Sequence, residues 1–201
     1  MKSARKLTTT LIITLLAVIS TAASATGWGQ YKKPTILDLL ISTDGAQALV
    51  AAVLVVDEAG VLDFSIADLL GNKYAEIILL APSNNAFERL LGLNDGTLDG
   101  LDVDTVKEEL PGLLPDEVVA AILLKHVSLP KRANKLTASQ NALLKRGDIT
   151  VADESPFPVS IGVLGVRINY ETTITKPDNF SRNGVIHYID TVIVDGLLDG
   201  S

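Results

Sequence analysis

The spacing of apolar residues changes once along this 201-residue chain, and that change constrains the fold more than any other feature. Between Pro34 and His126 most apolar residues recur every three or four positions, which is the period of an amphipathic helix. After His126, segments 149–152, 159–168 and 185–194 are rich in β-branched residues and are separated by turn-forming residues. Helices followed by strands predict an α+β domain.

One early segment departs from the helical pattern. Residues 76–81 (EIILLA) are short, rich in Ile and Leu, and followed by Pro82, which predicts a buried strand that stops at the proline. Ser83 is then predicted to cap a helix that buries Phe87 and ends at Gly92.

Two other helices have marked ends. Residues 42–44 (STD) offer side-chain caps for a helix that Gly60 ends. Pro115 opens another, with acidic residues in its first turn and Lys125 and His126 in its last, and both placements favour the helix dipole.

The N-terminus has the pattern of a secretory signal peptide. A positive start precedes the apolar run 11–19, and small residues at 23–25 predict cleavage after Ala25. A membrane anchor is the weaker interpretation, because spanning a bilayer takes about 20 apolar residues and Ser20 and Thr21 interrupt the run. The positive charges are Lys2, Arg5 and Lys6.

The predicted organisation is a signal peptide (1–25), a flexible lead segment (26–33), one domain (34–198) and a short tail (199–201). We expect an exported protein, periplasmic or extracellular, with no stable membrane anchor after cleavage; its oligomeric state is left open. The chain contains no cysteine, so its core must hold it together without disulfides.

The charge argues against nucleic acid as a partner. Removing residues 1–25 takes away three positive charges and changes the formal charge from −7 to −10. An acidic surface repels phosphate backbones and anionic lipid headgroups.

Three segments resemble the fasciclin domain family. Residues 77–91 (IILLAPSNNAFERLL) resemble its first signature, residues 183–194 (NGVIHYIDTVIV) its second, and residues 122–127 (ILLKHV) the helix end that lies between them. The residues that match the family signatures are Ala81, Pro82, Ser83, Ala86, Phe87, His126, Asn183, Gly184, Val185, Ile186, His187 and Asp190.

The resemblance implies a fasciclin-type β-wedge of about seven strands packed with several helices, which lie mainly in the N-terminal half. It also implies adhesion, or association with a surface or matrix, through contacts with an extracellular or envelope protein or glycan. Family members are generally not enzymes. Leu80 and Ser83 are mild departures from the family pattern, but Lys125 replaces the tyrosine of a Tyr-His pair associated with integrin recognition in animal members, so that partner is not implied here.

The search for catalytic groups predicts that the chain is not an enzyme and carries no cofactor. His126 and His187 are the only histidines, and both are interpreted as structural. The sequence has no G-x-S-x-G elbow, no H-x-x-x-H spacing and no cysteine nucleophile. A hydrolase would need a carboxylate pair, and Asp190 and Asp195 are more readily interpreted as strand-end and turn residues.

The acidic loop, residues 94–104, is the one candidate for a metal. Asp95 and Asp99 lie where a calcium loop has its first and fifth ligands, but Val106 stands where a bidentate Glu belongs. Asp102 and Asp104 could help to hold a weak ion, although a solvated turn with helix caps is the favoured interpretation. Asn179 begins a glycosylation sequon, which matters only if the source glycosylates exported proteins.

A second function remains open. The composition is 47% hydrophobic but only 4% aromatic, so a groove between the helix and strand layers could carry an apolar small molecule such as a lipid or pigment. The simpler interpretation is that these aliphatic residues fill the core.

Overall fold

A computed structural model describes residues 33–131 and 138–197. The predicted signal peptide with its cleavage after Ala25, the lead segment except for Lys33, residue 198 of the predicted domain and the tail lie outside these residues. Within the described residues, no helix is long and apolar enough to cross a membrane.

The described part of the chain forms seven α-helices and a seven-stranded sheet. The helices are α1 (Ile36–Ile41), α2 (Gln47–Ala59), α3 (Ile66–Gly71), α4 (Asn84–Leu91), α5 (Val103–Glu109), α6 (Asp116–His126) and α7 (Gln140–Arg146). A 3₁₀ turn (Leu110–Gly112) follows α5. The strands are β1 (Ile77–Pro82), β2 (Val127–Ser128), β3 (Asp148–Thr150), β4 (Pro156–Gly162), β5 (Gly165–Ile168), β6 (Thr172–Phe180) and β7 (Gly184–Ile189).

The sheet has the order β2-β1-β7-β6-β5-β4-β3. β1 and β7 run parallel, with Ile77 opposite Gly184, while the other neighbours are antiparallel. Six of the seven described helices precede β2, so the predicted α+β class with helices mainly in the N-terminal half is confirmed.

Both faces of β1 are buried, which explains its unbroken apolar sequence. Ile77 and Leu79 pack into a cluster with the helices, whereas Ile78 and Leu80 pack with the later strands. Successive side chains of a strand point to opposite faces, so β1 contributes to two hydrophobic clusters at once.

Most helix ends lie where the sequence places them. Ser83 caps α4, Gly60 and Gly92 end α2 and α4 in the left-handed conformation, and α6 begins directly after Pro115. The caps expected at residues 42–44 are wrong: α2 begins at Gln47 after Ala46, which provides no side-chain cap.

A more distant residue supplies the α2 cap. Asn84, at the start of α4, accepts a hydrogen bond from the backbone N–H of Ala48 (3.1 Å). The hydroxyls of Ser42 and Thr43 instead donate to Leu39 O and so bind the C-terminal end of α1.

The strand boundaries depart from the sequence pattern in three places. Residues 159–168 form a hairpin, β4 and β5, whose turn contains Val163 and Leu164. β6 was not predicted; it runs past Pro177 because the pairing with β7 shifts register there and Asp178 takes a positive φ of 59°. β7 ends at Ile189 rather than near residue 194.

Candidate functional site

The first signature forms the corner between β1 and α4. The Ser83 hydroxyl accepts a hydrogen bond from the Ala86 N–H (3.3 Å), and the Ser83 N–H donates to Ile189 O (3.3 Å). Phe87 is buried in the cluster that the helices share with β1, as are Ala81 and Ala86. Pro82 is the last residue of β1, opposite Ile189. These residues join a strand to a helix and offer no reactive group to solvent.

Asn183 links three segments that are distant in sequence. Its side-chain oxygen accepts a hydrogen bond from the Ile36 N–H (2.8 Å) at the start of α1. Its amide nitrogen donates to Leu70 O (2.9 Å) and Asn72 O (3.1 Å) at the end of α3. The side chain is buried, so it supplies hydrogen-bond partners to the backbone groups of Ile36 and Leu70, which are buried as well. An Asn-Gly pair often forms a tight turn with positive φ at both residues, but Asn183 is not among the residues with positive φ.

Gly184 follows at the closest approach between β1 and β7. A Cβ atom at this position would lie 1.9 Å from Ile77 O, and the φ angle is 156°. Only glycine fits there. Val185 and Ile186 then bury their side chains in different clusters, and the Asp190 carboxylate accepts a hydrogen bond from the Thr173 N–H (2.7 Å) of β6.

His126 is a neutral structural residue at the end of α6. The Ile193 N–H donates to its Nε2 (3.0 Å), so the ring proton lies on Nδ1, which donates to Ile122 O (2.7 Å). Burial lowers the pKa of His126 from 6.5 to about 4, although the hydrogen bond to Ile122 acts in the opposite direction. The cationic form that a helix C-terminus could have stabilised is therefore absent at neutral pH.

His187 has the opposite tautomer. The Asp178 N–H donates to its Nδ1 (3.2 Å), which leaves the proton on Nε2 to donate to Ala138 O (2.9 Å). Burial lowers the pKa of this ring, while the hydrogen bond to Ala138 and the nearby Asp178 carboxylate oppose that effect. The hydrogen-bond partners of the two histidines have no residue in common.

Lys125 replaces the family's tyrosine with a buried ion pair. Its ammonium lies 2.9 Å from an Asp153 oxygen and 5.8 Å from the centre of the Phe157 ring. The Lys125 side chain is only 9% exposed. A side chain this buried offers little surface for recognition by a partner.

A residue that sequence reasoning missed organises the acidic loop. Glu88 is fully buried on α4, and its carboxylate accepts hydrogen bonds from the N–H groups of Gly96 (2.8 Å) and Leu98 (2.6 Å). Its position next to Phe87 gave no signal, because an acidic helix residue is usually solvated.

The predicted metal candidates do not form a cluster. Asp102 caps α5 by accepting a hydrogen bond from the Thr105 N–H (2.8 Å), as the favoured interpretation expected. Asp95, Asp99 and Asp104 are exposed. Among residues 33–131 and 138–197, no three acidic or histidine side chains are placed to hold a metal ion together.

Asn179 lies on β6 and not in a loop. Its amide nitrogen donates to the carbonyls of Lys176 (3.0 Å), Pro177 (3.3 Å) and Ile186 (3.2 Å). Sugar transfer to this nitrogen would require these hydrogen bonds to open.

An apolar cavity of about 320 Å³ lies between α2, the end of α4, the acidic loop and α5. Three of its lining residues are polar, namely Thr97, Thr105 and Glu109. The others are Ala48, Leu91, Leu93, Leu98, Leu101, Val106, Leu110 and Leu113. The cavity is lined by helix and loop residues, whereas the sequence suggested a groove between helices and strands.

Comparisons with known proteins agree with this geometry. The Fasciclin domain family profile matches residues 61–195. A solved FAS1 domain pair from the insect cell adhesion molecule Fasciclin I has the same fold, with a TM-score of 0.58 at 15% identity. The alignment covers 81% of this chain and 51% of the Fasciclin I chain, so this chain spans about half the length of the solved domain pair. A search of the curated proteins finds no match.

The family match, which covers both signatures, and the shared fold confirm the predicted fasciclin-type architecture. The chain belongs to the fasciclin domain family.

Proposed function

We propose that this chain is an exported, non-catalytic binding module that mediates adhesion or association with a cell surface or matrix through contacts with a protein or glycan. The proposal rests on the burial of the polar signature residues inside the domain. His126, Asn183 and His187 are buried and hydrogen-bonded to backbone groups. They serve the scaffold, which leaves the outer surface for function.

Two further facts support this proposal. The similar solved structure comes from a protein described as a cell adhesion molecule. The two histidines are at most 1% exposed and their ring nitrogens already have backbone partners, so neither is available as a general base.

The test is a binding experiment on the protein purified from the cells that produce it. Immobilised protein is exposed to envelope extracts, matrix proteins and a glycan array, and heat-unfolded protein serves as the control. We expect saturable binding to at least one preparation, and loss of attachment in cells that lack the gene. Absence of binding together with normal attachment would refute the proposal.

The cavity favours a second candidate, the carriage of an apolar small molecule. Its volume of about 320 Å³ lies within the usual range of ligand pockets, roughly 300–1,000 Å³. Eight of its lining residues are apolar, and its one charged residue is Glu109. A ligand with a neutral or cationic polar end therefore fits better than a fatty-acid carboxylate, which the Glu109 charge would repel.

Native mass spectrometry of protein from its own source tests this candidate, because a bound molecule adds a discrete mass. A neutral fluorescent probe such as 1-aminoanthracene provides a second measurement. Leu98→Trp should fill the cavity and abolish probe binding, whereas Leu129→Trp, at an exposed position outside the cavity, should not. A ligand-free mass together with equal probe binding by both variants would eliminate the candidate.

A further inference from the structure

The tip of the β4–β5 hairpin exposes three large aliphatic side chains next to one another. Ile161 is 80% exposed, Val163 97% and Leu164 78%. Gly162 and Gly165 pair across the two strands and enclose the two-residue turn. The tip is therefore a compact apolar projection of the sheet.

Core packing does not account for these residues. Phe157, Val159 and Ile161 alternate along β4 and so share one face of the strand. Phe157 and Val159 are buried at 2% and 6% exposure, but Ile161, on the same face, is not. The apolar stripe of β4 thus continues beyond the core that it serves.

The opposite face of the hairpin carries the one charged residue of strands β4 and β5. Arg167 pairs with Ser160, and its side chain lies across Gly162, where a Cβ atom would meet Arg167 Cδ at 2.7 Å. One guanidinium nitrogen of Arg167 donates to Tyr170 O (3.0 Å). The guanidinium is therefore held against the hairpin.

The charge of this segment contrasts with that of the whole chain. Residues 156–170 contain one cation, Arg167, and no carboxylate, while the full chain has a formal charge of −7. The negative charge of the protein as a whole would repel an anionic surface, but this hairpin carries no negative charge of its own. It is therefore a part of the protein that can approach such a surface with little repulsion.

The size of the patch decides between a lipid surface and a second copy of the chain. Each partner in a stable protein interface buries about 800 Å². An aromatic side chain buries roughly 150–250 Å², and an aliphatic side chain buries less. The three aliphatic side chains of the tip therefore bury far less than the area that each partner of a stable interface needs. Insertion into a bilayer interface needs only apolar side chains that project from the surface and a nearby cation for phosphate.

We propose that the β4–β5 hairpin tip is a membrane-contact site that inserts Ile161, Val163 and Leu164 into the interfacial region of a phospholipid bilayer, with Arg167 at the level of the phosphates. This contact goes beyond the proposed function, because its partner is lipid rather than protein or glycan. The two can therefore fail separately.

A vesicle-binding experiment tests the proposal with protein purified from the producing cells. The vesicles contain phosphatidylcholine and phosphatidylglycerol, and the bound fraction is measured by sedimentation. The variant I161S/V163S/L164S should partition at least about tenfold more weakly than the parent protein. The control Ile41→Ser changes an aliphatic residue on α1 that is 65% exposed and should leave partitioning unchanged.

Labelling locates the contact. Because the chain has no cysteine, Val163→Cys provides a single attachment site for a polarity-sensitive dye. The emission of this dye should shift to the blue when vesicles are added, while the same dye on Ile41→Cys should not respond. This measurement remains informative if residues outside the hairpin also bind lipid.

Three results would overturn the proposal. The first is equal partitioning of the triple variant and its parent, with the dye at position 163 remaining in a water-like environment. The second is a concentration-dependent dimer in sedimentation velocity that the triple variant abolishes, which would assign the tip to a contact between copies. The third is binding to envelope proteins or glycans with no vesicle binding, which would leave the adhesion proposal intact.

Discussion

Asn183 stabilises the fold through contacts that no local pattern reveals. The residue lies just before β7, but its side chain serves backbone groups more than 100 positions away, at Ile36 and Leu70. A buried backbone group without a partner costs about 1–3 kcal/mol. The signature asparagine is therefore a connection between segments rather than a turn former.

Asn183→Ala should lower the free energy of unfolding by about 3 kcal/mol, because it leaves the Ile36 N–H and two carbonyls without their partner. Urea denaturation followed by circular dichroism measures the change. Asn94→Ala, at an exposed position, is the control and should stay within about 0.5 kcal/mol of the parent protein. Equal effects of the two substitutions would contradict the assignment.

The buried neutral ring of His126 predicts a pH dependence of stability. Its pKa falls from 6.5 in the unfolded chain to about 4 in the fold, so between these values the unfolded state binds more protons. The contribution of His126 is complete above pH 6.5 and is lost toward pH 4, at about 1.4 kcal/mol per pH unit. Denaturation between pH 7 and pH 4.5 should show a shallower slope for His126→Gln.

Nuclear magnetic resonance tests the same assignment without a substitution. Nitrogen chemical shifts near neutral pH should show a protonated Nδ1 in His126 and a protonated Nε2 in His187, as their backbone partners require. An imidazolium signal from either ring at that pH would refute it.

At the scale of elements, the parallel pairing of β1 and β7 depends on the absence of a side chain at Gly184. Gly184→Ala would place a methyl group 1.9 Å from Ile77 O, so we expect a loss of about 3 kcal/mol or more. Gly112→Ala, which has open space around its Cβ position, is the control and should change stability by less than about 0.5 kcal/mol. Thermal denaturation compares the two variants. A tolerated Gly184→Ala would mean that the strands can move apart.

The elements that sequence predicts well are those whose signals are local. β1 was predictable because its two buried faces give an unbroken apolar run, and α6 because charges mark both of its ends. The β4–β5 hairpin looked like one strand because its turn residues, Val163 and Leu164, are aliphatic. β6 was missed because residues 176–178 carry turn signals that a bulged strand also tolerates.

The candidate site was less predictable than the fold, for a physical reason. The family signatures located Asn183, His126 and His187, but their hydrogen-bond partners lie on other elements and follow from packing alone. Glu88 is buried because the N–H groups of the acidic loop turn toward it, and its own helix gives no sign of this. The exposure of Ile161 on the hairpin likewise depends on where the core ends. The alternation of apolar residues along β4 continues past that point and so does not reveal it.

At the scale of the whole molecule, β1 and β7 tie two hydrophobic clusters together. The first cluster joins α1–α6 to one face of these strands, and the second joins α7 and β3–β6 to the other. Each central strand contributes buried side chains to both clusters. If either cluster lost its packing, β1 and β7 would be exposed on one face, and the other cluster depends on the same two strands. The domain should therefore unfold as one unit.

Neighbouring leucines on β1 provide a matched test of that cooperativity. Leu79 and Leu80 are both almost fully buried but face different clusters. Leu79→Ala and Leu80→Ala should each lower the unfolding free energy by about 2–5 kcal/mol. Each should also shift one common transition, measured both by helical circular dichroism and by hydrogen exchange in β3–β6. If Leu80→Ala released the strands at a lower denaturant concentration than the helices, the clusters would be separable, and β1 would be a boundary between two units instead of their shared support.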